Sequence, residues 1–509
     1  MSIMKLGRFA ALESDVPDSP VLGADDLDES GAPVDASNTV EAAAIDAAEV
    51  EQPVIEETNE ELETLDDSAE SLEAYLDFIK EAKQNGGMDK NTAKAVKIGL
   101  DNALRPLGTN SADFLGMSKA SLESFDTNRR LNQTVSLENS ITEALKSVWE
   151  AIKRGLNKLI SYVRDWWLKN FDVAIRIKKR AEKIKSKANE TNGSAKENKI
   201  DVPNIKQLHI SKKAPTSAQI ISSIEKCTNG FTKISSKRVT DGYGEFLDKV
   251  VDAVESGAEE FGTKGKAEGE ANGKKGKKGA KSPKTQKVVD AVDNTADETK
   301  EAAAASGATN AGIPDHATRF SNLGDLSNEV TRSEEICGGK AVFGFYDQGY
   351  TDFENGSSSA DKGEPFENVE ALEEAGKFIS KIFLSVMDYT AKKVEVDSSV
   401  SGSTLKLSEV ESICTVIISS MEEISRYKQN YAKYETYVKR SIQKLDAQVT
   451  KSSKTEDQNV AKATRILAKG ASSMIKFGTR TINSFMSYLI VTSRAALGYC
   501  TSSLAQYKD

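Results

Sequence analysis

A long tract near the N-terminus has no basic residue. From Ser14 to Ile79 there is no Lys or Arg, whereas Asp and Glu recur throughout. Like charges at this density repel one another, and the few apolar side chains cannot offset the entropy lost on folding. We therefore predict a disordered acidic segment that ends in one short helix, Leu72 to Lys83. A turn at Asn85-Gly86-Gly87 and a second helix, Asn91 to Leu104, are predicted to follow.

The net charge changes sign at Glu123. Residues 1–123 contain 27 Asp and Glu against 9 Lys and Arg, a net charge of −18. The whole chain has a net charge of −10, so residues 124–509 carry +8 by difference. Such a change of sign matters most to a protein whose partner is a nucleic acid.

The junction reads Ser121-Leu122-Glu123-Ser124, a small residue, any residue and then Glu. A protease can read this spacing in an extended chain, because a small side chain fits a narrow subsite and the carboxylate meets a basic pocket. Such tripeptides also arise by chance in an acidic chain, but this one lies where the charge changes. We predict cleavage between Glu123 and Ser124. Secondary cuts are predicted at Glu13 (before Ser14), Glu70 and Glu73, whereas Glu138 is a doubtful site because a cut there would remove part of the entry to the next helix.

The clearest element is an amphipathic helix from about Asn139 to Ala188. Its apolar residues recur in steps of three and four, which is typical of one continuous helical face: Ile141, Leu145, Val148, Ile152, Leu156, Leu159, Val163, Trp166, Phe171 and Ile175. The opposite face is basic, and its predicted partner or DNA-contacting residues are Lys146, Lys153, Arg154, Lys158, Arg164, Lys178, Lys179 and Arg180.

This helix has three interpretations. Its apolar face packs against the C-terminal helices while its charges remain solvated, or the Trp-containing face lies in a membrane interface or on a partner helix. The basic face can also contact phosphates non-specifically.

The remaining chain predicts a mainly α fold, a helical bundle with long amphipathic helices. A Gly/Lys-rich stretch is predicted to be a flexible linker, and Ala341 to Tyr346 a short strand. The C-terminal helices are predicted at Val369–Val394, Leu407–Val449 (the longest) and Asn459–Tyr507 (one or two helices), and three of them can form a bundle. The predicted domains are 1–123 (acidic propeptide), 124–255 (basic helical region), 256–315 (linker) and 316–509 (helical domain).

No catalytic, cofactor-binding or metal-ligating constellation is found in the sequence. His209 and His316 are isolated and are interpreted as incidental surface residues. Cys227, Cys337, Cys414 and Cys500 form no CxxC pair and are expected to be buried or incidental thiols in a reducing compartment. The N-terminus lacks a secretory signal and no window is apolar enough to span a membrane, so a soluble intracellular chain without cofactor is expected.

Three stretches resemble the internal head proteins of large tailed bacteriophages, which are precursors packed inside the prohead. They are Ser121–Glu138, the Trp-rich basic helix from Ala144 to Lys183, and the C-terminal end from Ser487 to Lys508. The resemblance implies processing by the phage prohead protease after a small-x-Glu tripeptide, with the cut at Glu123 and the mature chain starting at Ser124. It also implies capsid and scaffold proteins as partners, and a location inside the head after assembly from the host cytoplasm.

Two alternatives from other functional classes remain open at this point. One is a capsid scaffold or core-assembly protein that is removed on maturation. The other is an ejected protein that acts on a host membrane or a host enzyme. A homo-oligomer is left open, a membrane partner is not expected, and contact with packaged DNA is expected to be non-specific.

Overall fold

The computed structural model describes residues 71–105, 130–235, 295–310, 330–345, 382–390, 400–452 and 458–507, with scattered positions between 58 and 69. Helices account for 75% of these described residues, which confirms the prediction of a mainly α fold. Most of the acidic tract and the Gly/Lys-rich stretch lie outside these ranges. The described chain divides into two compact units, the first ending at Leu159 and the second beginning at Ile160. The domain boundaries drawn from composition stay predictions.

The first unit contains a helical hairpin. Helix α1 covers residues 71–84 and α2 covers Lys90–Leu104. They are joined by a turn in which Gly86 and Gly87 have φ values of +89° and +94°, a region that favours glycine. Asp89 caps α2, because its side chain accepts hydrogen bonds from the Asn91 and Thr92 backbone N–H groups at 2.8 and 3.0 Å. Both helices and the turn were predicted.

The third helix of the first unit is the beginning of α3, Arg130–Glu190, which is 61 residues long. Apolar residues at helical spacing form the core of this unit. They are Leu72, Leu76 and Ile79 from α1, Ala93, Val96 and Leu100 from α2, and Ile141, Ala144, Val148, Ile152 and Leu156 from α3. The spacing of these side chains explains why each helix buries one face.

In the second unit, the remainder of α3 is accompanied by α4 (Ile205–Leu208), α5 (Ser217–Ser235) and an eleven-residue helix α6 at 295–305. Two long helices, α7 (Leu407–Ser452) and α8 (Gln458–Leu504), complete it. Helices α5, α7 and α8 pack pairwise against one another. Two of the three helices predicted to form a bundle, α7 and α8, do pack together, but their helical partner is α5 and not the predicted helix at Val369–Val394.

Small antiparallel sheets connect these helices. Strands β2 (Thr309–Asn310), β3 (Thr331–Arg332), β4 (Lys340–Phe345) and β5 (Phe383–Asp388) form one sheet in that order. Strand β1 (Lys199–Asp201) pairs with β6 (Ser401–Ser403). Strand β4 confirms the strand predicted at Ala341–Tyr346.

The predicted helix at Val369–Val394 is wrong where the structure describes it. Residues 383–388 form β5, paired with all six residues of β4 from Lys340 opposite Asp388 to Phe345 opposite Phe383. A short apolar run fits a helix or a strand equally well, and here pairing with β4 decides. Residues 369–381 lie outside the described part.

Two further predictions need correction. Among the C-terminal helices the longest is α8, with 47 residues, and not α7, which has 46. Of the two possibilities left open for the segment after Asn459, one helix or two, the structure shows one. Residues 295–305 are helical and do not belong to a linker. Their Ala-rich sequence favours a helix, and Ala302 and Ala303 are fully buried.

Candidate nucleic-acid interface

The predicted basic face begins in the first unit. Lys146, Arg154 and Lys158 are exposed on α3, and within the described residues none of them is paired with a carboxylate. Lys153 is half-buried, and its Nζ lies 3.1 Å from Glu150 Oε1, one helical turn away. Three of the four cations here are therefore open to a polyanion.

The second unit carries the other predicted cations, and Arg164 and Lys178 among them form ion pairs with α7. Arg164 Nη1 lies 3.9 Å from Glu435 Oε1, and Lys178 Nζ lies 3.0 Å from Glu422 Oε1, both carboxylates belonging to α7. The hydrogen bond to Glu422 raises the pKa of Lys178. Lys179 is exposed without a carboxylate partner in the described chain, and Arg180 is half-buried.

Sequence reasoning did not include the cations of α2 in this set. Lys90 and Lys94 are exposed, Lys97 is half-buried, and none is paired with a carboxylate among the residues that the structure describes. They follow one another in steps of four and three, which places them on one side of the helix, next to the side that buries Val96 and Leu100. The spacing of these lysines could have identified them from the sequence. They are absent from the predicted set because α2 falls within the predicted acidic propeptide.

The Trp residues of α3 in the second unit belong to its core. Trp166 and Trp167 are 1% and 0% exposed. The Trp167 ring centroid lies 5.3 Å from that of Tyr427 and 4.5 Å from that of Tyr431, in edge-on geometry. The Trp167 indole N–H donates a hydrogen bond to Asn483 Oδ1 of α8. The apolar face of α3 thus packs on the C-terminal helices here, and these two rings are not available to a membrane.

The predicted cleavage residues fall in two groups. Glu13, Ser14, Glu70, Glu123 and Ser124 lie outside the described residues, so their use as cleavage sites stays a prediction. Glu73 lies in α1, directly after Leu72, which is fully buried. Glu138 lies in α3, and its carboxylate accepts a hydrogen bond from Lys83 Nζ at 2.8 Å.

The candidate chemical groups are mostly buried. All four cysteines are buried, as predicted, and burial raises the pKa of Cys337 to about 12. His209 was interpreted as a surface residue, and this is wrong, because it is only 5% exposed and packs beside Gly339. Burial lowers the pKa of His209. His316 lies outside the described residues.

Within the described ranges, no cluster of three His, Cys, Asp or Glu side chains has the geometry to hold a metal ion. No helix in those ranges is long and apolar enough to cross a membrane. What the surface of α3 presents is a set of exposed cations.

Comparison with known families decides the classification. The family described as phiKZ-like phage internal head proteins matches residues 40–502. The chain belongs to this family. Neither the curated proteins nor the solved structures include a match. As an internal head protein, the chain is a phage component assigned to the interior of the virion head, in agreement with the resemblance drawn from its sequence.

Proposed function

We propose that this internal head protein is made as a precursor that a phage protease cuts after Glu123 during head maturation, and that its basic part then lies against the packaged DNA. The observation that carries the proposal is the difference in net charge between residues 1–123, which sum to −18, and the remainder, which sums to +8. A protein destined for the head interior meets a polyanion at very high concentration. Removing an acidic segment therefore changes the sign of its interaction with that polyanion.

The exposed cations of α3 supply the contacts. Lys146, Arg154 and Lys158 project from one stretch of helix, and none of them is paired with a carboxylate in the described chain. Lys and Arg side chains on a helix bind phosphates as point charges and release condensed counterions, a mode that reads no base sequence. Such binding suits a structural protein that contacts DNA wherever it lies.

The acidic tract acts before cleavage. Its carboxylates compete with DNA phosphates for the same cations, so the precursor enters the immature head without binding nucleic acid prematurely. The prohead protease, capsid and scaffold proteins are its partners at that stage.

The test compares DNA binding by the purified precursor and by the same chain after cuts at both Glu70 and Glu123, which free the acidic residues 1–70. At about 0.1 M salt, we expect the cut chain to bind random-sequence duplex DNA at least about tenfold more tightly. Equal affinity of the precursor and the cut chain would contradict the proposed role of the acidic tract.

A further inference from the structure

The α1–α2 hairpin is joined to α3 by contacts that span the predicted cleavage point. The Met88 backbone N–H donates a hydrogen bond to Thr134 Oγ1 at 3.1 Å, and both residues are buried. Lys83 Nζ forms an ion pair with Glu138 Oε2 at 2.8 Å. A cut between Glu123 and Ser124 severs the chain between these partners but leaves the contacts themselves in place.

The apolar contribution of the hairpin is larger than these two polar contacts. Leu72, Ile79 and Leu100 of the hairpin are between 0% and 2% exposed. The beginning of α3 belongs to the same compact unit. Separating the hairpin from the rest of the unit would expose its own buried side chains to water. The hydrophobic effect therefore opposes dissociation after the backbone is cut.

The hairpin also differs in charge from the acidic tract. Residues 1–70 contain 20 Asp and Glu against 2 Lys and Arg, which is the full net charge of −18. Residues 71–105 contain 5 Asp and Glu against 6 Lys and Arg, a net charge of +1. The hairpin therefore does not contribute to the acidic excess, and its retention does not oppose binding to DNA.

We infer that residues 71–105 stay bound to the beginning of α3 after cleavage at Glu123, as a non-covalently held segment of the mature protein. This inference rests on the proposed cut at Glu123. In this scheme the loss of residues 1–70 removes the whole acidic excess, and the cut at Glu123 only turns the hairpin into a separate chain.

Burial explains how the hairpin survives the protease. The tripeptide that ends at Glu73 lies in α1, where Leu72 is 0% exposed. A protease needs several residues in extended form, so cleavage there requires local unfolding of the helix. When opening is rapid and reversible, the cleavage rate follows the small population of the open form. We therefore expect Glu73 to be cut at least about 100-fold more slowly in the folded chain than in a peptide of the same sequence.

The experiment uses the full-length chain with a recognition sequence for an unrelated site-specific protease inserted between Glu123 and Ser124. After complete cutting in vitro, size-exclusion chromatography and native mass spectrometry report whether the two pieces remain together. We expect one N-terminal piece bound to each C-terminal piece at physiological salt. Separation of the pieces with the C-terminal piece still folded would overturn the inference.

Two substitutions on α2 form a matched pair. Leu100→Asp introduces a charge at a position 2% exposed, and Ile98→Asp introduces the same charge at a position 57% exposed. After the cut, Leu100→Asp should release the hairpin at least about tenfold faster than the parent chain, whereas Ile98→Asp should release it at the parental rate. Equal rates for the two variants would contradict the packing that the inference requires.

A charge reversal provides the same information without altering the core, in case Leu100→Asp unfolds the unit before the cut. Lys83→Glu or Glu138→Lys alone should speed release, and the double reversal should restore retention. Failure of the double reversal to restore it would count against the inference. Because the cut is made in vitro, these outcomes do not depend on whether the phage protease uses Glu123.

Discussion

Met88 donates its backbone N–H to Thr134 Oγ1 at 3.1 Å, although the predicted cleavage point at Glu123 lies between them in the chain. This contact ties a segment that composition assigns to the propeptide to a helix that composition assigns to the mature protein. The acidic excess ends at Glu70, before the first helix that is described without interruption. Charge and packing therefore divide this internal head protein at different places.

The exposed cations of the first unit should determine the salt dependence of DNA binding. Replacing Lys146, Arg154 and Lys158 with Gln in the cut chain should make the negative slope of log K against log salt shallower by up to about 2.7, at about 0.9 per lost phosphate contact. Fluorescence anisotropy with random-sequence duplex DNA between about 50 and 200 mM salt measures this slope.

The control for that experiment removes three cations that are held by carboxylates. Lys226, Lys233 and Lys340 lie 3.2, 3.4 and 2.7 Å from Glu334, Glu301 and Asp388. Their replacement with Gln lowers the net charge equally but should change the slope much less. The same loss of slope in both triple variants would show that overall charge, and not the α3 face, governs binding.

Trp167→Phe should destabilise the second unit. It removes the indole N–H that donates to Asn483 Oδ1 and leaves that acceptor buried without its partner. We expect a loss of about 1–3 kcal/mol in the free energy of unfolding, measured by urea denaturation. The adjacent Leu168 is 39% exposed, so Leu168→Ala should cost much less; similar losses for both would argue against the buried contact.

Gly155→Ala should have different effects in two forms of the chain. Within the precursor, a Cβ at position 155 would lie 2.7 Å from Leu62 Cδ2, so the Leu62 side chain must move. In a chain that starts at Ser71, Leu62 is absent, and Ala should stabilise the helix by about 0.5–1 kcal/mol. Denaturation of both forms measures the difference, and an equal gain in each would contradict the contact between Leu62 and α3.

The second unit should lose stability in mild acid because of His209. Burial lowers the pKa of this residue, an effect that Lys212 and Lys340 reinforce and Glu335 opposes. The unfolded chain then binds the proton more readily than the folded chain below the ordinary His pKa of about 6.5. The stabilising contribution is complete above that pH and is lost as the pH falls through the lowered folded value.

The measurement is the urea midpoint between about pH 7.5 and pH 5.5, a range that brackets the His titration. His209→Asn should reduce the decrease. If the urea midpoint decreases equally in the His209→Asn variant, groups other than His209 cause the loss of stability.

Local patterns predicted the helices better than they predicted their partners. Val148, Ile152 and Phe171 are buried as the spacing on α3 indicates, but Ile175 on the same predicted face is 41% exposed. Trp167 was not counted on that face and is fully buried, because α7 supplies Tyr427 and Tyr431 on one side and α8 supplies Asn483 on another. Which flank of a helix is covered depends on distant segments, and single-helix periodicity contains no information about them.

The same limit applies to the candidate interface. The eight predicted cations of α3 can be read from the sequence, but spacing along α3 cannot show that Arg164 faces Glu435 and Lys178 faces Glu422, both of which lie more than 240 positions further along the chain. Strand β5 was read as helix for a similar reason, since only its pairing with β4 distinguishes the two. The distribution of net charge along the chain, in contrast, can be read from the sequence without any tertiary information.

The most direct test of the account is terminal peptide mapping of this protein from purified mature particles. The account predicts a chain that begins at Ser124 and the loss of the acidic residues 1–70. A mature protein that retains an intact N-terminus, including the tract from Ser14 to Ile79, would contradict it.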